Sequence, residues 1–122
     1  MNKKEIGIAL IGTSKIAHEH AKSLISIDGV KLLGVYSSDF YRAKEFSSRY
    51  GIKPYKTIED LLSDEELVVV DIVTYPNKHA YYGIKAAKAG KHVIVEKPMD
   101  ISMANARALI DECRKSKVYL TT

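Results

Sequence analysis

The chain has 122 residues, 46% hydrophobic and 28% charged, with a formal net charge of +4. This is the balance of one ordinary globular domain with a real core, and it excludes a disordered chain. The 19 Lys and Arg are interleaved with 15 Asp and Glu, which argues against a nucleic-acid surface, and no apolar run nears the ~20 residues that cross a bilayer.

Ile6 to Ile11 is a short apolar run, consistent with a buried strand. It is too short, and lacks the cleavage-type ending, for the core of a signal peptide. Lys15 to Ile27 carries Ile16, Ala17, Ala21, Leu24 and Ile25 at helical spacing, and Gly29 follows where a helix stop belongs. Val30 to Tyr36 reads as a strand, and Phe40 to Tyr50 as a helix ended by Gly51. A weak strand is expected near Lys53 to Tyr55, then a short helix capped by Thr57. Leu67 to Val73 is the strongest strand, nearly all apolar and β-branched, hence central with both faces covered. A helix from about Lys78 to Ala89 ends at Gly90, and His92 to Val95 is a strand. A last helix runs from about Ser102 to Lys115, and Val118 to Thr121 is a final strand.

Strand and helix thus alternate about five times. That order predicts an α/β fold, a doubly wound parallel sheet of about six strands with helices on both faces, Rossmann-like, filling residues 1–122. The chain stops on a strand, which suggests a domain cut from something longer.

Gly12-Thr13-Ser14-Lys15-Ile16-Ala17 joins the first strand to the first helix. The dinucleotide fingerprint there is Gly-x-Gly-x-x-Gly or Ala. Gly12 suits the tight turn and Ala17 close helix–strand packing, but Ser14 replaces the second glycine. Its hydroxyl is free either to cap the helix or to donate to a phosphate, and the helix N-terminus offers N–H groups to an anion. An acid at the tip of the second strand would favour NAD. The sequence has Tyr36-Ser37-Ser38-Asp39 instead. Ser37, Ser38 and Arg42 favour the 2′-phosphate of NADP, while Asp39 argues for NAD. Two further strand ends carry polar groups and a proline where a cofactor crosses a parallel sheet: Thr74-Tyr75-Pro76-Asn77-Lys78-His79 and Glu96-Lys97-Pro98.

On Gly12-x-Ser14-x-x-Ala17, on Pro76-Asn77 followed by His79, and above all on Gly90-Lys-His-Val-Ile-Val-Glu-Lys-Pro98, the chain resembles the N-terminal domain of the glucose-fructose oxidoreductase, inositol dehydrogenase and rhizopine-catabolism family. The resemblance covers essentially the whole chain. It implies an NAD(P)-dependent oxidoreductase acting on a secondary alcohol or carbonyl of a sugar or cyclic polyol. Lys97 would be the catalytic residue, reaching the substrate oxygen and the nicotinamide ribose, with Glu96 orienting Lys97 or touching the cofactor. A separate C-terminal domain, absent here, would supply most substrate contacts and an Asp and His. The chain alone would then bind cofactor and turn over little. The full-length form would be oligomeric.

No metal site is expected. His18 and His20 lie two apart on a helix, pointing to different faces, with no partner at ligand spacing. His92 and Cys113 read as structural. The lone cysteine, with no export signal, fits a reducing cytoplasmic setting. Two other functions compete: a non-enzymatic dinucleotide sensor, and a Rossmann-like site for S-adenosylmethionine, in which Glu96-Lys97-Pro98 would have no role.

Overall fold

The computed structural model describes residues 4–122. In chain order the elements are β1 (Ile6–Ile11), α1 (Lys15–Ser26), β2 (Val30–Tyr36), α2 (Phe40–Tyr50), β3 (Lys53–Tyr55), α3 (Ile58–Leu62) and β4 (Leu67–Ile72), followed by α4 (His79–Lys88), β5 (His92–Val95), α5 (Met103–Ser116) and β6 (Leu120–Thr121). The six strands form one sheet in the order β3-β2-β1-β4-β5-β6, and every neighbouring pair is parallel. This is the Rossmann-like doubly wound sheet expected from the alternation.

The apolar strands sort their side chains onto two faces. Ala9 and Ile11 of β1 join Val70, Ile72, Val93 and Val95 in a core under α3, α4 and α5, where Leu61, Ala86 and Leu109 are fully buried. Ile8 and Leu10, one residue out of phase, join Leu32 and Val35 under α1 and α2, against Ala17, Ala21, Ala43 and Phe46. Each fully buried Leu or Ile contributes about 1.5–3 kcal/mol, so both faces of the central strands hold the sheet.

The polar punctuation works as local chemistry requires. Thr57 Oγ1 accepts from the Asp60 amide at 3.0 Å, and Asp39 caps α2 by accepting from the Tyr41 amide at 3.0 Å. Ser102 caps α5 by accepting from the Asn105 amide. Two boundaries differ from expectation. The final strand covers only Leu120–Thr121, because the Val118 amide is used to close α5, bonding the Cys113 carbonyl at 3.0 Å. The helix expected from Lys78 begins as a 3-10 turn over Pro76–Lys78, with proline fixing its first residue, and becomes α-helical at His79.

Sheet order reverses between β1 and β4, so the connections leaving them diverge and a crevice opens beyond their carboxyl ends. Gly12 lines it with φ at +117°. A Cβ there would lie 2.7 Å from the Thr74 amide nitrogen and 2.8 Å from the Val73 carbonyl carbon. Gly12→Ala is therefore expected to cost roughly 1–3 kcal/mol in backbone strain and a similar amount in overpacking. Urea unfolding of the two chains checks this, and an unchanged midpoint would contradict the geometry.

Candidate functional site

A groove of about 600 Å3 occupies the crevice between the ends of β1 and β4. Three loops make its walls: Gly12 to Ile16 after β1, Ser37 to Arg42 after β2, and Thr74 to His79 after β4. Glu96 and Lys97 close it at the end of β5. Among the residues singled out in the sequence, Gly12, Thr13, Ser14, Ile16, Ser37, Ser38, Arg42, Thr74, Tyr75, Pro76, Asn77, His79, Glu96 and Lys97 all line it. Lys15 does not. It is the first residue of α1 and its side chain is exposed outside the groove.

Ser14 occupies the N-cap position of α1, yet its hydroxyl caps nothing. Oγ donates to the Val73 carbonyl at 2.7 Å, which ties the β1–α1 turn to the end of β4. Of the two roles open to Ser14, capping is ruled out. While that bond stands, its proton is also not free for a phosphate. The first turn of α1 holds no acidic side chain, and its free amides form the positive end of a twelve-residue helix dipole. With the bare Cα of Gly12 alongside, this end of the groove fits an anionic pyrophosphate.

At the β2 end, the Asp39 carboxylate is engaged. Oδ1 accepts from the Tyr41 amide in the cap, and Oδ2 lies 3.7 Å from Arg42 Nε. Ser37 Oγ accepts from the Asp39 amide at 3.2 Å. Arg42 is two-thirds exposed and opens toward the groove. Beyond it the wall is aromatic: Tyr36 meets Tyr82 edge-on at 5.9 Å, and Tyr82 stacks on Tyr81 at 5.1 Å. Burial, with the Tyr36 hydroxyl beside it, pushes the Tyr82 phenol up to about 12.

His79 proves to be a tie between loops. Its ring is 1% exposed. Nδ1 sits 2.7 Å from the Pro98 carbonyl, and Nε2 sits 2.8 Å from the Thr74 carbonyl. The ring thus sits between two backbone carbonyls, one of which accepts its N–H, and it packs the β4 and β5 loops together. Asp100 reinforces the join by accepting from the Ala80 amide.

The sequence reading passed over the most heavily partnered histidine. His20, on α1, lies between two carboxylates: Nδ1 is 2.7 Å from Asp71 Oδ2, and Nε2 is 2.9 Å from Glu96 Oε2. Burial alone would lower the imidazole, but Asp71 and Glu96 outweigh it and hold His20 above its ordinary 6.5. Burial raises the Asp71 carboxyl, against the pull of His20. A signal was present in the sequence, since an acid inside the apolar run Leu67 to Val73 must find a partner once buried. His18, two residues earlier, points elsewhere, with Nδ1 2.7 Å from the Tyr50 hydroxyl and its ring on Phe46. Cys113 is buried, and burial raises its thiol above the ordinary range, the setting of an inert core cysteine. Among the described residues, no helix is long and apolar enough to cross a membrane.

Residues 6–122 match the model of the Gfo/Idh/MocA family, described as an oxidoreductase family with an NAD-binding Rossmann fold. The myo-inositol 2-dehydrogenase of Thermotoga maritima is 33% identical over 94% of this chain and 35% of its own length. The glucose-6-phosphate 3-dehydrogenase of Bacillus subtilis is 34% identical over 94% of this chain and 32% of its own. Among solved structures, the 3-ketoreductase KijD10 of Actinomadura kijaniata, in complex with TDP-benzene and NADP, superposes with a TM-score of 0.88. It is 27% identical over 96% of this chain and 37% of its own. The chain therefore spans about a third of the length of these relatives. The parallel sheet, the groove at its switch point and the match across residues 6–122 agree, and the chain belongs to the Gfo/Idh/MocA oxidoreductase family as its NAD(P)-binding Rossmann domain.

Proposed function

We propose that this chain is the cofactor half of an NAD(P)-dependent oxidoreductase that interconverts a secondary alcohol and a carbonyl on a sugar or cyclic polyol. The observation that carries the reading is the placement of Lys97 at the end of β5, in the same groove as the Gly12–Ile16 turn. A catalytic cation and a pyrophosphate cradle then share one cavity. The relatives that act on inositol and on glucose 6-phosphate support the substrate class.

In this reading Gly12, Thr13 and Ile16, with the α1 amides, hold the pyrophosphate. Ser37, Ser38 and Arg42 take the ribose end, and Thr74, Tyr75, Pro76 and Asn77 line the path toward Lys97. The bound nicotinamide supplies or accepts the hydride. Lys97 donates a hydrogen bond to the substrate oxygen, stabilises the negative charge that grows there, and holds the proton that the oxygen gains or loses. The substrate itself would be gripped mainly by a second domain, which also sets any oligomeric contacts, in a cytoplasmic setting. Asp39 Oδ1 is engaged in the α2 cap, and Ser37, Ser38 and Arg42 line the groove where a 2′-phosphate would lie, which favours NADP.

Thermal melts with NADP, NAD and S-adenosylmethionine test the reading. A nicotinamide cofactor at about 100 times its Kd should stabilise the chain by about 2.7 kcal/mol. A shift with S-adenosylmethionine alone, or with none of the three, would overturn it. Arg42→Ala should raise the Kd for NADP about tenfold, some 1.4 kcal/mol, and leave NAD nearly unchanged. Equal weakening of both would assign Arg42 no part in the choice. In the full-length enzyme, Lys97→Ala should lower kcat by orders of magnitude and change cofactor Kd little. Equal loss of both would remove Lys97 from the chemistry.

A further inference from the structure

Asp71 and Glu96 share the sheet face covered by α1, because Val70, Ile72, Val93 and Val95 turn to the other side. His20 comes down from α1 into the gap between them. Asp71 is 2% exposed, and its second oxygen, Oδ1, has no partner among the described residues. Glu96 is the residue before Lys97, and its amide is fixed by the Ile72 carbonyl at 3.0 Å.

The two short contacts count protons. Each needs one hydrogen between a ring nitrogen and a carboxylate oxygen. A neutral imidazole brings one N–H, so with two ionised carboxylates only the imidazolium satisfies both. If a carboxyl carries the proton instead, the total is the same. The trio thus holds one proton more than its members would hold apart at neutral pH. A buried carboxylate with an orphan oxygen is costly unless a positive partner stands beside it, which is what ties this proton to the fold.

The consequence reaches Lys97. Glu96 is the carboxylate nearest to it in sequence, and the two line the same end of the groove. Yet among the described residues Lys97 makes no ion pair, while Glu96 pairs with His20. We propose that His20 is a positioning residue: bridging buried Asp71 to Glu96, it holds the Glu96 carboxylate against α1 and off Lys97, so that the Lys97 ammonium enters the groove unpaired. The value of a free Lys97 rests on the catalytic reading above, but the clamp itself does not.

The charged groups facing the ring are Asp71 from β4 and Glu96 from β5. On α1 itself, Lys15, Glu19 and Lys22 make no ion pair with it. Because His20 is held above 6.5, the imidazolium side of the clamp is present below that pH and is lost as pH rises through the folded value, while acid opens it from the other side by protonating Asp71, whose carboxyl burial raises. Its contribution to stability is greatest where the carboxylates are ionised and His20 is still protonated, and it is lost on the alkaline side as His20 gives up its proton. His18 is the internal control, since burial, with Arg49 and Lys22 nearby, lowers its imidazole.

The test needs no cofactor, so it stands or falls separately from the functional reading. First, 15N NMR of the unmodified chain at pH 7 should find both His20 ring nitrogens protonated or sharing a proton, with His20 titrating above 6.5 and His18 below. A His20 ring carrying one proton and titrating with His18 would overturn the proposal. Second, acylation of Lys97 by a small amine-reactive ester, read by peptide mass spectrometry against exposed Lys88, reports whether the ammonium is paired. His20→Ala should release Glu96 and slow acylation of Lys97 several-fold, and the slowing should vanish in a Glu96→Gln background. Slowing that is equal in both backgrounds, or absent from both, would reduce His20 to a packing residue. If His20→Ala fails to fold, Glu96→Gln alone decides. It should lower the His20 titration, and an unmoved His20 would overturn the bridge.

Discussion

The close approach of the β1–α1 turn to the end of β4 is the constraint from which the groove follows. β1 and β4 are neighbours although β2 and β3, which lie on the other side of β1, come between them in the chain, so their outgoing loops must part. Gly12 lets the turn pass against the Val73–Thr74 backbone without a Cβ, and Ser14 Oγ then bonds Val73 O across 59 residues of sequence. The replacement of the second fingerprint glycine is thus compensated locally: its hydroxyl anchors the turn that the missing glycine would have left bare. The same junction aims the α1 N-terminus across the crevice, where its dipole favours an anion.

Around this junction the loops are cross-braced by side chains. His79 sits between the Thr74 and Pro98 carbonyls and so links the β4 and β5 ends. His20 joins β4 to β5 on the opposite face through Asp71 and Glu96. Two histidines, neither of them free to hold a ligand through its ring nitrogens, thus fix the wall that carries Lys97. Pre-organisation of this kind is what electrostatic catalysis asks of a scaffold, since a cation 1 Å out of place loses most of its effect.

Much of this was legible in the sequence, because it rests on local period and on turn chemistry. The β-branched run of β4 announced a central strand, Thr57 announced its helix, and the three strand-end loops that line the groove were marked by glycine, serine and proline. What was not legible depends on partners brought together by the sheet. His20 meets Asp71 and Glu96 across 51 and 76 residues, and nothing in the spacing of α1 says which face reaches which strand. Ser14 turned to a carbonyl of β4 rather than to its own helix for the same reason. Lys15, singled out with its neighbours, is the one residue of the Gly12–Ile16 turn that does not line the groove. The shortened β6 shows the ordinary competition at a helix end, where the Cys113 carbonyl claims the amide that a longer strand would have used.

The central claim is that a nicotinamide dinucleotide lies across the β1–β4 crevice with its phosphates on the α1 turn. Amide chemical-shift mapping of the 15N-labelled chain titrated with NADP tests it directly. The account predicts saturable shifts concentrated at residues 12–16, 37–42 and 74–77, with the exposed α5 surface unmoved. Saturable binding that leaves residues 12–16 unperturbed would contradict it.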